Sequence, residues 1–246
     1  METIAIARPL PLTVLPGSSS AGSGLANLLT PHPREAFVAS AAGATTITVD
    51  LGAATPIDTL FLGFTNLPTG AAVTVTRDGG QALAATAAAA SYRRAPLRHA
   101  VAMLDAPVAA RVLTFAVTAA TPLVAGIVAA GLSLRPAGFE PDWGRPISDA
   151  SRVERLFDGA FGTARGGTAG GLTWTWPVLT DVERDQLYAL ALDVGVAGEV
   201  LVVEPGFAGA AGNEAIHWGK LAKLQPFERQ PTLTETKWSL EVQDWT

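Results

Sequence analysis

The sequence predicts a mainly β protein: an N-terminal β-sandwich of jelly-roll type, then a β-rich α+β domain with one main helix. Glycine (25) and proline (17) make up about one residue in six of the 246, a density of turn formers that suits many short strands rather than long helices. Apolar residues are 48% and charged residues only 16%, against roughly 25% charged in an ordinary domain, which excludes wholesale disorder. Between the turns, apolar and polar residues alternate with the period of a half-buried strand.

In the first half, residues 45–51 place Ile47, Val49 and Leu51 on one strand face, and Gly52 is expected to end the strand. Residues 59–64 form a compact apolar run between Pro56 and Asn66. Residues 72–76 alternate again and stop at Asp78-Gly79-Gly80, a turn signal. The alanine-rich stretch 82–90 has no pattern and is expected as a surface loop. Residues 112–134 run 23 positions without a charge, long enough to cross a bilayer. Thr114, Thr118, Thr121, Pro122 and Ser133 interrupt that run. It therefore reads as two buried strands parted at Thr121-Pro122, since strands buried on both faces are continuously apolar, and no membrane span is expected.

The composition changes near residue 138. Up to Gly138 there are 8 basic and 6 acidic residues; from Phe139 onward there are 9 and 16, and all six tryptophans and all three lysines follow that point. The chain therefore divides into domains 1–138 and 139–246, with a linker at 135–141 where Pro136, Gly138 and Pro141 stop regular structure. In the second domain Thr180-Asp181-Val182-Glu183 reads as a capping box. Leu187, Leu190, Ala191 and Val194 then recur on one helical face, and Gly195 is a stop, giving a helix over 181–194. Strands are expected at 172–176, 199–204, 216–221 and 236–242.

Few residues here support catalysis. There are no cysteines, which excludes disulfides, thiolate metal sites and thiol nucleophiles. His32, His99 and His217 are scattered without metal-ligand spacing and read as packing or solvated residues; His217 alone has an acid, Glu214, three residues before it. No G-x-S-x-G occurs, since Gly17-Ser18-Ser19-Ser20-Ala21 fails at its last position. The glycine-rich run 162–171 lacks the lysine of a phosphate loop and is expected as a loop between strands. Asp181, Glu183 and Asp185 are explained by the helix N-terminus, which favours negative charge. Glu199 and Glu204 bracket a strand with no evident partner. Net charge is −5, without the basic face that nucleic-acid binding needs. Met1-Glu2-Thr3 lacks a basic n-region, so no secretory signal is expected. No catalytic residue, cofactor or metal site is assigned.

The six tryptophans remain: Trp143, Trp174, Trp176, Trp218, Trp238 and Trp245. Trp174 and Trp176 share one strand face, which is core if buried and a protein interface or sugar-stacking platform if exposed. Trp143, after the linker, and Trp245, near the C-terminus, are the interface candidates, because linkers and chain ends are seldom deep in a core.

The segments Asn27-Leu28-Leu29, Thr46-Ile47-Thr48-Val49-Asp50-Leu51-Gly52, Ile57-Asp58-Thr59-Leu60 and Ala110-Arg111-Val112-Leu113-Thr114-Phe115 resemble discoidin-like (galactose-binding-like) jelly rolls. Gly63-Phe64-Thr65-Asn66-Leu67, followed by Gly70-Ala71-Ala72-Val73-Thr74-Val75, looks like the variant found in tail proteins of long-tailed bacteriophages. Glu154-Arg155-Leu156-Phe157-Asp158-Gly159, Trp174-Thr175-Trp176-Pro177-Val178-Leu179-Thr180, the capped helix, Gly195 with residues 200–205, Gly219-Lys220-Leu221 and Trp238-Ser239-Leu240-Glu241-Val242 are similar to the C-terminal part of phage minor tail or baseplate proteins. No sugar-contacting or calcium-binding residue of discoidin lectins is matched.

The resemblance implies a structural component of a phage tail tip or baseplate, in the virion and, during assembly, in the host cytoplasm. Its partners would be other tail or baseplate virion proteins, with several copies in a symmetric ring. A carbohydrate-binding module for host-surface glycan is the alternative, and a hydrolase of unknown type the third reading.

Overall fold

The structure, a computed structural model, describes residues 3–15, 22–91, 97–138, 143–205, 215–229 and 235–245, with 84–91 described by their backbone. The chain forms two compact units, one of Met1–Ser133 with Val202–Ile216 and one of Leu134–Leu201 with His217–Thr246. Residues 202–216 thus group with the first unit, and linker residues 139–141 lie outside the described residues.

Along the first part of the chain run β1 (Ala5–Ala7), β2 (Thr13–Val14), β3 (Gly22–Ser23), a 3-10 turn (Leu25–Leu29), β4 (Phe37–Ala39), β5 (Gly43–Thr65), β6 (Ala72–Arg77), β7 (Gln81–Ser91), β8 (Arg98–Ala119), β9 (Val124–Ala125), β10 (Ile127–Gly131) and β11 (Ser133–Leu134). An antiparallel sheet in the order β10-β5-β8-β6-β7, with β2 beside β5, and a smaller sheet β3-β4-β9 share one core. Phe37 and Ala125 enter it from the small sheet and Ile47, Leu62, Val75 and Phe115 from the large one. This is a β-sandwich.

The alternation in residues 45–51 sets the register. Ile47 faces Phe115 and Val49 faces Leu113 across the ladder, all buried, while the Thr48 and Thr114 hydroxyls bond at 3.0 Å on the other face. Such pairs are the units of sheet stability. Gly52 does not end the strand. At φ 79° it shifts the register between Asp50 and Thr55, and β5 then resumes opposite Ala110. The expected loop at 82–90 is also a strand, β7, paired with both β6 and β8. Alanine's weak strand preference is overridden because ladders on two sides satisfy its backbone.

His99 is a packing residue. It is buried, lies edge-on to Phe64 at 4.7 Å and accepts the Phe64 amide on Nδ1 at 3.2 Å. His32 is exposed. No helix among the described residues is long and apolar enough to cross a membrane.

Arg111, on the interior strand β8, organises one end of this sheet. Its Nε and Nη2 donate to the two Asp50 carboxylate oxygens, each at 3.1 Å, and the Asp78 carboxylate accepts the backbone amides of Arg111 and Val112 at 3.0 Å. The Arg111 guanidinium, then the Gly52 amide, hold the Asp50 carboxyl below its ordinary range. The Val112 and Arg111 amides do the same for Asp78. A folded pKa below the unfolded one means the unfolded chain binds more protons. The stabilisation is therefore whole above a pH of about 4 and is lost as pH falls through the depressed folded values. The double variant Asp50→Asn, Asp78→Asn should show a shallower fall in urea midpoint from about pH 5 to about pH 2.5 than the unmodified chain; equal slopes would assign acid sensitivity elsewhere.

The later elements are β12 (Ser148–Asp149), β13 (Arg152–Arg155), β14 (Phe161–Ala164), β15 (Thr168–Ala169), β16 (Gly171–Leu179), α1 (Asp181–Val194), β17 (Glu199–Val203), β18 (Ile216–Leu221), β19 (Glu228–Arg229) and β20 (Thr236–Asp244). β20 is flanked by β16 on one side and by β18 and β19 on the other. Leu172 faces Val242, Trp174 faces Leu240 and Trp176 faces Trp238, all buried. On the opposite face the Thr175 and Ser239 hydroxyls bond at 2.9 Å.

The helix forms where the capping box places it. The Glu183 amide donates to Thr180 Oγ1 at 3.3 Å, and the Thr180 amide donates to Glu183 Oε2 at 2.9 Å. Leu187, Leu190, Ala191 and Val194 are its buried face. Gly195, at φ 56°, closes it by donating its amide to the Ala191 carbonyl at 2.9 Å.

Candidate interaction surface

A cluster of exposed apolar side chains of the second unit, with Phe157 the most exposed, lies on a hairpin arm. β12 pairs with β15 and β13 with β14, so residues 148–169 fold back on themselves over about 25 Å. Between the two ladders the Ala150 amide donates to the Gly167 carbonyl at 3.0 Å. A Cβ at Gly166 would stand 2.3 Å from the Ala150 carbonyl carbon, so glycine is required for the strands to approach. The tip closes through Leu156-Phe157-Asp158-Gly159-Ala160. Gly159 takes φ 85°, the Leu156 amide donates to the Ala160 carbonyl at 2.8 Å, and the Ala160 amide donates to Asp158 Oδ1 at 3.0 Å. The run 162–171, expected as a loop, is therefore mostly paired strand. Its glycines permit close backbone packing.

Both faces of this ladder are open. Register pairs Val153 with Thr163 and Arg155 with Phe161, so these four share one face. Val153 is 64% and Phe161 68% exposed, and Leu156 and Phe157 at the tip are exposed as well. Neither Arg152 nor Arg155 has an ion-pair partner among the described residues. The arm's content of apolar residues was visible in sequence as Val153, Leu156, Phe157 and Phe161, but the glycines around it suggested a loop.

The outer face of α1 is the second exposed apolar stripe. Asp181, Asp185, Tyr188 and Leu192 recur at helical spacing, with Tyr188 53% and Leu192 65% exposed. Arg184 bridges Asp181 at 2.6 Å and Asp185 at 2.8 Å, so two carboxylates share one guanidinium and the face keeps excess negative charge. The helix-end explanation for the three acids fits these contacts, with Glu183 serving the cap.

Of the tryptophans, Trp174, Trp176, Trp218 and Trp238 are core. Trp143 is 41% exposed. Its ring lies 6.1 Å from that of Trp174, the Arg145 guanidinium stands 5.2 Å over it, and the adjacent Gly144 bridges to Thr173 on the outer edge of β16. Trp245 is half-buried; its amide donates to the Trp218 carbonyl at 3.0 Å, and Lys220 Nζ lies 5.4 Å from its ring centre. The two candidates stand on opposite sides of β20, one outside β16 and one against β18, so no single ladder brings them together.

Among the described residues no group of three or more His, Asp and Glu side chains is placed to hold a metal ion. Glu214 lies outside the described residues. The partner of buried His217 is Asp244, both of whose carboxylate oxygens lie 3.1 Å from Nδ1. That contact links β18 to β20. Glu199 also has a partner, Lys220 at 3.6 Å.

No family model matches the chain, and no curated protein is similar to it. Among solved structures, the chain is similar to a family 32 carbohydrate-binding module from a family 31 glycoside hydrolase of Clostridium perfringens, at 13% identity and a TM-score of 0.37, over 50% of this chain and 96% of that one.

Proposed function

We propose that the chain is a structural component of a bacteriophage tail tip or baseplate, or of a phage-derived particle. It works through protein–protein assembly contacts in several copies, without catalysis, in the virion and, during assembly, in the host cytoplasm. The observation that carries this reading is the arm. A two-stranded hairpin alone is marginal in water, and this one leaves Val153, Leu156, Phe157 and Phe161 exposed. Apolar groups concentrated at such a place gain by burial against another molecule.

The test is co-expression with the products of the adjacent genes. The unmodified chain is expected in a particle-sized fraction. The variant Phe157→Ser, Phe161→Ser is expected to melt at the same temperature and to enter that fraction at least about tenfold less, since burying even one phenylalanine is worth roughly 1.5–3 kcal/mol. A chain that forms no complex with those products and binds a glycan array instead would replace this reading with the carbohydrate-binding one.

A further inference from the structure

We infer that the arm of one copy docks on the outward face of α1 of the next copy, so that the chain joins to itself head to tail. The inference rests on the assembly reading above and names the partner of that surface. The arm face that carries Val153, Arg155, Phe161 and Thr163 combines apolar side chains with positive charge and has no acid. The helix stripe Asp181, Asp185, Tyr188 and Leu192 combines apolar side chains with negative charge. The two are complementary in both respects, and each is open in the isolated chain.

On the arm Arg155 and Phe161 sit directly opposite each other across the ladder, and on α1 Asp185 and Tyr188 are three residues apart on one face, so charge and ring are neighbours on both surfaces. Docking therefore puts Arg155 near Asp185 and Phe161 near Tyr188. A contact between two different patches is heterologous, and repetition closes it into a ring or continues it into a filament.

The full chain has no cysteine, so introduced thiols are the only ones that react. Two full-length single variants, Phe161→Cys and Tyr188→Cys, are mixed and treated with a short bis-maleimide. The mixture is expected to give a dimer several-fold in excess of either variant alone, and only between unlike chains. A charge exchange gives the independent arm of the test. Arg155→Glu and Asp185→Lys should each weaken self-association in sedimentation, and a mixture of the two should restore it through the one reversed contact. If the mixture cross-links no more than the single variants, or the exchanged charges restore nothing, the copies do not meet this way. Incorporation into particles, measured separately, then still decides the assembly reading.

Discussion

Replacing Trp176 with alanine is expected to lower the stability of the second unit by about 3–5 kcal/mol, the range for removing a large buried ring. Trp176 is fully buried and begins an aromatic column. Its ring stacks on Trp238 at 5.6 Å and 10°, Trp238 stacks on Phe227 at 4.8 Å and 3°, and Phe227 meets the exposed Tyr188 edge-on at 5.6 Å. Alanine opens a void at the closed end of the column, where Trp176 and its ladder partner Trp238 are both buried. Trp176→Phe should behave differently. The indole Nε1 is buried with no hydrogen-bond partner among the described residues, and an unpaired buried donor costs about 1–3 kcal/mol. Phenylalanine removes that donor and keeps most of the stack, so its net cost should be under about 1.5 kcal/mol. Urea denaturation of the full chain, followed by tryptophan fluorescence, measures both. Equal losses for the two substitutions would mean that the volume of the second ring, rather than the stack, sets the energy there.

Elements that rest on local rules were legible from the residues. The helix at 181–194 follows from a capping box and a glycine stop, and the buried faces of β5 and β16 follow from strict alternation. These signals are short-range, so they survive without knowledge of partners. What could not be read depends on non-local pairing. The alanine run in β7 has no pattern of its own and is a strand because β6 and β8 hold it. Gly52 looks like an end and is a bulge, since β8 continues alongside. The glycines at 162–171 look like a loop because their close approaches to Ala150 and Val242 involve distant chain. The tryptophans divided by the same logic: Trp174 and Trp176, on an alternating strand, are core, whereas the half-open state of Trp143 and Trp245 depends on Thr173 and Trp218. The arm was missed as a surface for that reason too, and its exposed phenylalanines became meaningful only once both ladder faces were seen to be open.

Asp58 illustrates the same limit at a single side chain, and its replacement by alanine should cost the first unit about 3–5 kcal/mol, with three hydrogen-bond donors stranded. In sequence it is one acid in a strand. In the fold it is buried, and its Oδ1 accepts the Ser133 amide at 2.8 Å and the Thr59 hydroxyl at 2.8 Å, while Oδ2 accepts the Ser133 hydroxyl at 2.7 Å. Bonds to a carboxylate are about twice as strong as neutral ones, and this one ties residues 75 positions apart. Alanine leaves the Ser133 amide, the Ser133 hydroxyl and the Thr59 hydroxyl without this acceptor. Asparagine is the informative control. Its oxygen keeps the Ser133 amide and the Thr59 hydroxyl, and its amide group donates to Ser133 Oγ in place of the lost acceptor. Only the charge-assisted part is then given up, and the loss should stay near 1–1.5 kcal/mol. Native-state hydrogen exchange at the Ser133 amide reads the contact directly: protection should fall to that of an exposed strand end in Asp58→Ala and persist in Asp58→Asn. If the alanine variant keeps full protection and loses under about 1 kcal/mol, the carboxylate is incidental and the strand pairing alone holds this part of the chain.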